Sequence, residues 1–162
     1  MARRFLRAIG AATTLALATP GCASDGAANA SAATSKVIPL TITSANGKHA
    51  FKVEVARTAE EQERGLMFRT DIAKDGGMIF VPYPAGGGAP REASFWMKNT
   101  PSALDIIFIR PDGTIATIAE NTVPFSETPI PSGEPVSAVL EILGGRSADL
   151  GIAEGDKVTW PK

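Results

Sequence analysis

The chain has 162 residues, 44% of them hydrophobic, and a formal charge of −1, which suits one domain with a sizeable core once any processed segment is removed. A single cysteine and a single histidine exclude a disulfide framework and a thiolate-imidazole metal site. No Lys/Arg cluster interrupts the near-neutral balance, so the chain has none of the electrostatic footprint of a nucleic-acid binder.

Residues 1–23 read as an export signal. Arg3, Arg4 and Arg7 form a positive start, Ile9 to Ala18 is a short apolar run, and Gly21 and Ala23 have the size and spacing of a signal-peptidase site. The run is about half the ~20 residues that a stable membrane-crossing helix needs. Cys22 opens a second route: a cysteine just past the run can become the lipid-carrying first residue of a lipoprotein, although Thr19-Pro20-Gly21 lacks the leucine usual in that motif. Either route implies export to the periplasm or cell envelope, with membrane attachment only through a lipid on Cys22. Residues 24–35 (SDGAANASAATS) are small or polar throughout, which predicts a flexible linker. The folded domain is then 36–162. Removing three arginines from a formal charge of −1 leaves −4.

Val37 to Thr43 and Ala50 to Ala56 alternate apolar and polar residues around Asn46-Gly47, a hairpin signal. His49 sits in Asn46-Gly47-Lys48-His49, read as a turn, and reads as a solvated surface histidine. Thr58-Ala59-Glu60-Glu61 is a capping box, which with Gly65 as a stop predicts a short helix over Ala59 to Arg64. Gly77 to Val81 is a strand, and Tyr83 to Arg91 a glycine-rich loop too far from any helix start to cradle phosphate. Ser94 to Asn99, Leu104 to Ile109 and Thr114 to Ala119 follow as strands, the last two joined by Asp112-Gly113 turn chemistry. Asn121 to Pro135 carries four prolines and predicts a long loop, either a functional cover or a rigid surface segment. Ala138 to Leu143 is a strand, Ser147 caps a one-turn helix ending at Gly151, and Asp156 to Trp160 closes the domain. About eight short strands with one or two short helices predict a mainly β single domain, a jelly-roll-like sandwich or partly closed barrel.

Several of these segments together resemble a known family. Arg64-Gly65-Leu66-Met67 with Arg69, Gly77-Met78-Ile79-Phe80, Phe95-Trp96-Met97-Lys98-Asn99-Thr100, Leu104-Asp105-Ile106 and Gly151-Ile152 with Gly155-Asp156 look like the signature of domain of unknown function family 192. The resemblance implies a small, mainly β, jelly-roll-like protein of a kind often exported in bacteria, and it implies no activity. The chain departs from the pattern at Pro101-Ser102-Ala103 and lacks a cysteine pair that some relatives carry in the proline-rich loop.

The FWMKNT run holds the richest chemistry. On a strand, Phe95, Met97 and Asn99 face one way while Trp96, Lys98 and Thr100 face the other. Trp96 beside Lys98 is then either a half-buried surface pair or one wall of a groove. Asn99 and Thr100, before Pro101, can also turn the chain through side-chain bonds to the backbone. Asp105 interrupts the apolar strand LDIIFI, and a buried carboxylate costs several kcal/mol unless paired. Lys98, Arg64 and Arg69 are the candidate partners, so a buried ion pair organising this region is the structural expectation.

The functional expectation uses the same residues: Trp96 as a stacking face, Lys98 and Asn99 as donors, Asp105 orienting Lys98, and Arg64 and Arg69 as supporting cations. That set suits an anionic or sugar-like ligand. It makes the protein a non-enzymatic envelope binding or interaction module that takes no cofactor. One alternative is a hydrolase-type enzyme with Asp105 or a glutamate as base and Lys98 as acid or electrostatic stabiliser. Another is a copper site built on Met67, Met78 and Met97, although methionine in strands is ordinarily core filler.

Overall fold

The computed structural model describes residues 36–162. The signal, linker and Cys22 expectations lie outside the described residues.

Strand β1 (Val37–Ser44) turns through Ala45-Asn46 into β2 (Gly47–Ala56), with Ser44 paired to Gly47. Gly47 has φ 125°, a backbone conformation that glycine adopts freely. His49 is inside β2 rather than in the turn, and its Nε2 lies 2.9 Å from Ser44 Oγ. Helix α1 (Ala59–Arg64) has the predicted ends. Thr58 Oγ1 accepts from the Glu61 amide, Glu61 accepts from the Thr58 amide, and Gly65 follows as the C-cap. The helix is a crossover: β3 (Gly76–Phe80) runs parallel to β2.

After β4 (Arg91–Phe95) come β5 (Leu104–Ile109), β6 (Ile115–Ala119), β7 (Ile130–Val136) and β8 (Ala138–Leu143). Helix α2 (Arg146–Leu150) and β9 (Lys157–Thr159) complete the chain. Seven strands form one sheet in the order β6-β5-β8-β3-β2-β1-β9. Its two edges meet: Thr114 bridges Lys157, the Ile115 amide donates to Asp156 O, and the Val158 amide to Gly113 O. The sheet is therefore a nearly closed barrel, which leaves few unpaired edge groups.

Alternation along the strands builds two cores. Ile38, Phe51, Ile79, Ile107, Ile115, Leu140 and Val158 represent all seven strands on the inner face. The opposite face of β3, β5 and β8, with Met78, Phe80, Ile106, Phe108 and Val139, packs against Ala93 of β4 and Val136 of β7. Because β5 and β8 are covered on both faces, they read as continuous apolar runs.

Three expected elements differ. The strand Ser94 to Asn99 ends at Phe95; from there the chain turns, with Asn99 at φ 54° and the Thr100 amide bonded to Met97 O. The proline-rich stretch is only partly loop, since Ile130–Val136 pairs with β4 as a two-stranded ribbon. Prolines are tolerated there because each strand of a ribbon has an unpaired side on which a missing N–H is not needed. Ser147 does not cap α2: Gly145 occupies that place, and Ser147 is one residue inside the helix.

The capping box gives the first expected outcome. Thr58→Ala removes one acceptor from an exposed helix end and should cost about 1 kcal/mol in chemical denaturation.

Candidate functional site

The FWMKNT segment is a turn with a buried anchor. Met97 is fully buried in the outer core, while Trp96 is 44% exposed. Lys98 Nζ lies 5.0 Å from the centre of the Trp96 ring, so the two side chains meet as a surface pair through a cation–π contact. Thr100 Oγ1 donates to Lys98 O, so the threonine does help turn the chain. The neighbouring loops are sewn to this turn by backbone bonds. Phe68 N donates to Asn99 O, Phe125 N to Thr100 O, and Met97 N to Ser126 O.

Asp105 has no cationic partner among the described residues. Its side chain is wholly buried, and no ion pair among the described residues includes it. Three backbone amides satisfy it instead: Asn121 N at 2.7 Å and Gly145 N at 2.8 Å on Oδ1, and Ser147 N at 2.7 Å on Oδ2. The expected ion pair with Lys98, Arg64 or Arg69 is thereby corrected. A carboxylate accepting several amide bonds is solvated by the backbone and needs no counter-charge. Gly145 and Ser147 open α2, so Asp105 acts across the fold as the acceptor that this helix lacks within its own sequence. Thr122 fixes the next step, with its Oγ1 donating to Leu104 O at 2.8 Å.

The other cations are dispersed. Arg69 pairs with Glu54 at 2.9 Å and Asp71 at 3.0 Å, which raises its own proton affinity and holds the Asp71 carboxyl below its ordinary range. Arg64 is exposed at the end of α1. Asp105 and Lys98 thus form no acid–base pair, so the hydrolase geometry expected on Asp105 is not assembled. Of the three methionines expected for a copper site, Met78 and Met97 are buried in the outer core, as filler is, while the half-buried Met67 lines the cleft described next.

A cleft of about 270 Å³ opens beside the FWMKNT turn, between the end of α1 and the end of β4. Of the six expected site residues it takes in Trp96 and Arg64; Lys98, Asn99, Asp105 and Arg69 do not line it. The proline-rich stretch does not line it either, so that stretch is no cover for this cleft. Phe80, Tyr83 and Phe95 line one side, and they form a ring cluster in which Phe95 meets Phe80 edge-on at 5.0 Å.

At the cleft's inner end is Glu141, a residue the sequence reading passed over. It stands on β8 in register with Met78 of β3 and Ile106 of β5, and its Oε2 has no hydrogen-bond partner. Burial alone raises its pKa from the ordinary 4.5 to about 8. Gly65 leaves room above it: a methyl group on that glycine would lie 3.2 Å from Phe80 Cζ and 3.8 Å from Glu141 Oε2. The signal that could have found Glu141 is the one that drew attention to Asp105, an acid breaking an apolar strand, here AVLEIL.

Fold and site together define a small β-barrel protein with a buried acid at the base of an aromatic cleft. The chain belongs to domain of unknown function family 192, described as "Uncharacterized ACR", whose model matches residues 41–160. A crystal structure of a protein of unknown function from Novosphingobium aromaticivorans DSM 12444 is 48% identical, with a TM-score of 0.74. That match covers 80% of this chain and 89% of the other. A second, from Sinorhizobium meliloti 1021, bears a provisional transcription-regulator name. It is 41% identical with a TM-score of 0.72, over 78% of this chain and 95% of that one. None of the curated proteins matches the chain.

Three expected outcomes follow, for Asp105, Lys98 and Glu141. Asp105→Ala leaves three amides without an acceptor, at about 1–3 kcal/mol each, so urea denaturation should show a loss of at least about 3 kcal/mol. Lys98→Met in the same assay should cost less than about 1 kcal/mol, because it removes only a surface cation–π contact.

Glu141 is protonated in the folded state where the unfolded chain would already have released its proton. Its stabilisation is therefore complete below about pH 4.5, falls as pH rises, and is gone above about pH 8. Over that window the native protein should lose up to roughly 5 kcal/mol relative to Glu141→Gln, read from denaturation curves at matched pH.

Proposed function

We propose that this protein is an exported, non-enzymatic binding module of the cell envelope, taking a small sugar-like ligand in the cleft between α1 and β4. The observation that carries the reading is the cleft itself: a concavity walled by aromatic rings, edged by the half-exposed Trp96 and closed inside by a carboxyl group. Ring faces suit the apolar faces of a sugar, and a few buried polar groups fix orientation. Its volume is near the lower end of the ~300–1,000 Å³ range typical of ligand sites, which suits one sugar unit. Export rests on the arginine-led apolar run at residues 1–23, and attachment to the membrane through Cys22 remains part of that reading.

The anionic half of the original expectation loses support, since the buried charge-bearing group is an acid and Arg64 is the one expected cation at the cleft. An enzymatic reading draws on one observation, the raised pKa of Glu141 inside a cleft, which is the property of a general acid. A transcription-regulator role like that named for the Sinorhizobium protein is not favoured for a domain with more acidic than basic residues.

Trp96 reports on the site directly once Trp160 is replaced by phenylalanine. Titration with a panel of neutral monosaccharides should produce a saturable change in Trp96 emission and a rise in melting temperature with at least one of them. In Trp96→Ala, with its fold checked by circular dichroism, the rise should disappear. A panel-wide absence of any shift would remove the binding reading.

A further inference from the structure

The recognition chemistry of the cleft can be read from what surrounds its buried acid. We propose that Glu141 is the group that selects the ligand: its neutral carboxyl exchanges hydrogen bonds with a hydroxyl of an uncharged ligand and discriminates against both anions and amines. The inference rests on the binding reading above and adds the ligand's charge class and its dependence on pH.

Glu141 is only 5% exposed, and its Oε2 faces no donor among the described residues, so its hydrogen-bonding capacity is unused in an otherwise apolar interior. A buried polar atom without a partner costs about 1–3 kcal/mol, which a ligand group could return. The strands on either side offer no counter-charge, since Met78 on β3 and Ile106 on β5 stand opposite it. The remaining ionisable groups lining the cleft are Glu63 and Arg64 on α1 and the phenol of Tyr83, and none bonds to Glu141. Gly65 keeps the approach open, as a side chain there would crowd Phe80 and the carboxyl together.

Charge decides between ligand classes. An anion would meet a group that can only become more negative. An amine would require both partners to be desolvated as ions, which the low-dielectric interior penalises. It would also pass Arg64, with Lys98 already against the Trp96 ring and Arg91 5.8 Å from the Tyr83 ring centre. A hydroxyl demands neither. The neutral carboxyl donates through its O–H and accepts on its carbonyl oxygen, matching a group that does both. Burial keeps the acid in that form across neutral pH, with a midpoint near 8.

Three hexoses of one ring size separate the classes: glucose, glucuronate and glucosamine. Each is titrated into the Trp160→Phe protein at pH 6.5 and pH 9.5, with Trp96 emission as readout and the Glu141 carboxyl followed by ¹³C NMR. Glucose should bind at pH 6.5 and weaken at least tenfold at pH 9.5, while glucuronate and glucosamine bind more weakly at the lower pH. Glu141→Gln keeps a donor and an acceptor, so it should bind glucose equally at both pH values. Glucose affinity independent of pH in the unmodified site, or glucosamine as the tightest of the three, would overturn the inference and leave the binding cleft standing. Silence from all three hexoses would remove the sugar-binding reading and the inference with it.

Discussion

The fold is held at one end by a single carboxylate that has no ionic partner. Asp105, near the start of strand β5, accepts amide hydrogen bonds from the segment after β6 and from the turn that opens α2. Three parts of the chain far apart in sequence are therefore placed by two oxygen atoms. The arrangement works because backbone amides can be aimed by the fold, whereas a lysine or arginine would have to surrender its hydration to follow Asp105 inside. Thr122, bonded to both sides of the Leu104 peptide, passes this constraint into the loop that is sewn to the FWMKNT turn. The turn in turn places Trp96 at the edge of the cleft.

Among the described residues two acids are buried, on adjacent strands, and they are treated in opposite ways. Asp105 is saturated with donors, which makes it an architectural group. Glu141, one strand over and on the other face of the sheet, has a vacant oxygen and apolar neighbours, which makes it a group awaiting a partner. Burial is the same for both; the supply of donors separates their roles. Phe68, Trp96, Val123 and Phe125 also stand well exposed on the three segments joined at the turn, and Phe68 and Phe125 do so at φ 64° and 60°. Residues of this size rarely adopt such angles, so the backbone there is set by the network of amide bonds rather than by local preference.

Much of the architecture was legible because it is written in local pattern. The capping box at Thr58 to Glu61, the two-residue turn of the first hairpin and the alternation of β1 and β2 all depend on neighbours within a few residues. The β5 and β8 runs were equally clear, although nothing in them reveals that both faces are covered. What escaped was non-local. FWMKNT has strand-like composition, yet its backbone bonds go to residues 68, 125 and 126, which turn the chain after Phe95. The four prolines suggested a loop, yet two of them, Pro131 and Pro135, lie in the ribbon strand paired with β4. For Asp105 the burial was foreseen and the partner was not, since a sequence displays cationic side chains but not the amides a fold will present. Glu141 was missed although it satisfies the same rule, an acid inside an apolar strand.

The most direct test of the account is amide hydrogen exchange at Asn121, Gly145 and Ser147, compared between the native protein, Asp105→Asn and Lys98→Met. The account predicts that all three amides are slow in the native protein, become faster together in Asp105→Asn, and are unchanged in Lys98→Met. Protection that survives Asp105→Asn, or that is lost to the same degree in Lys98→Met, would contradict it.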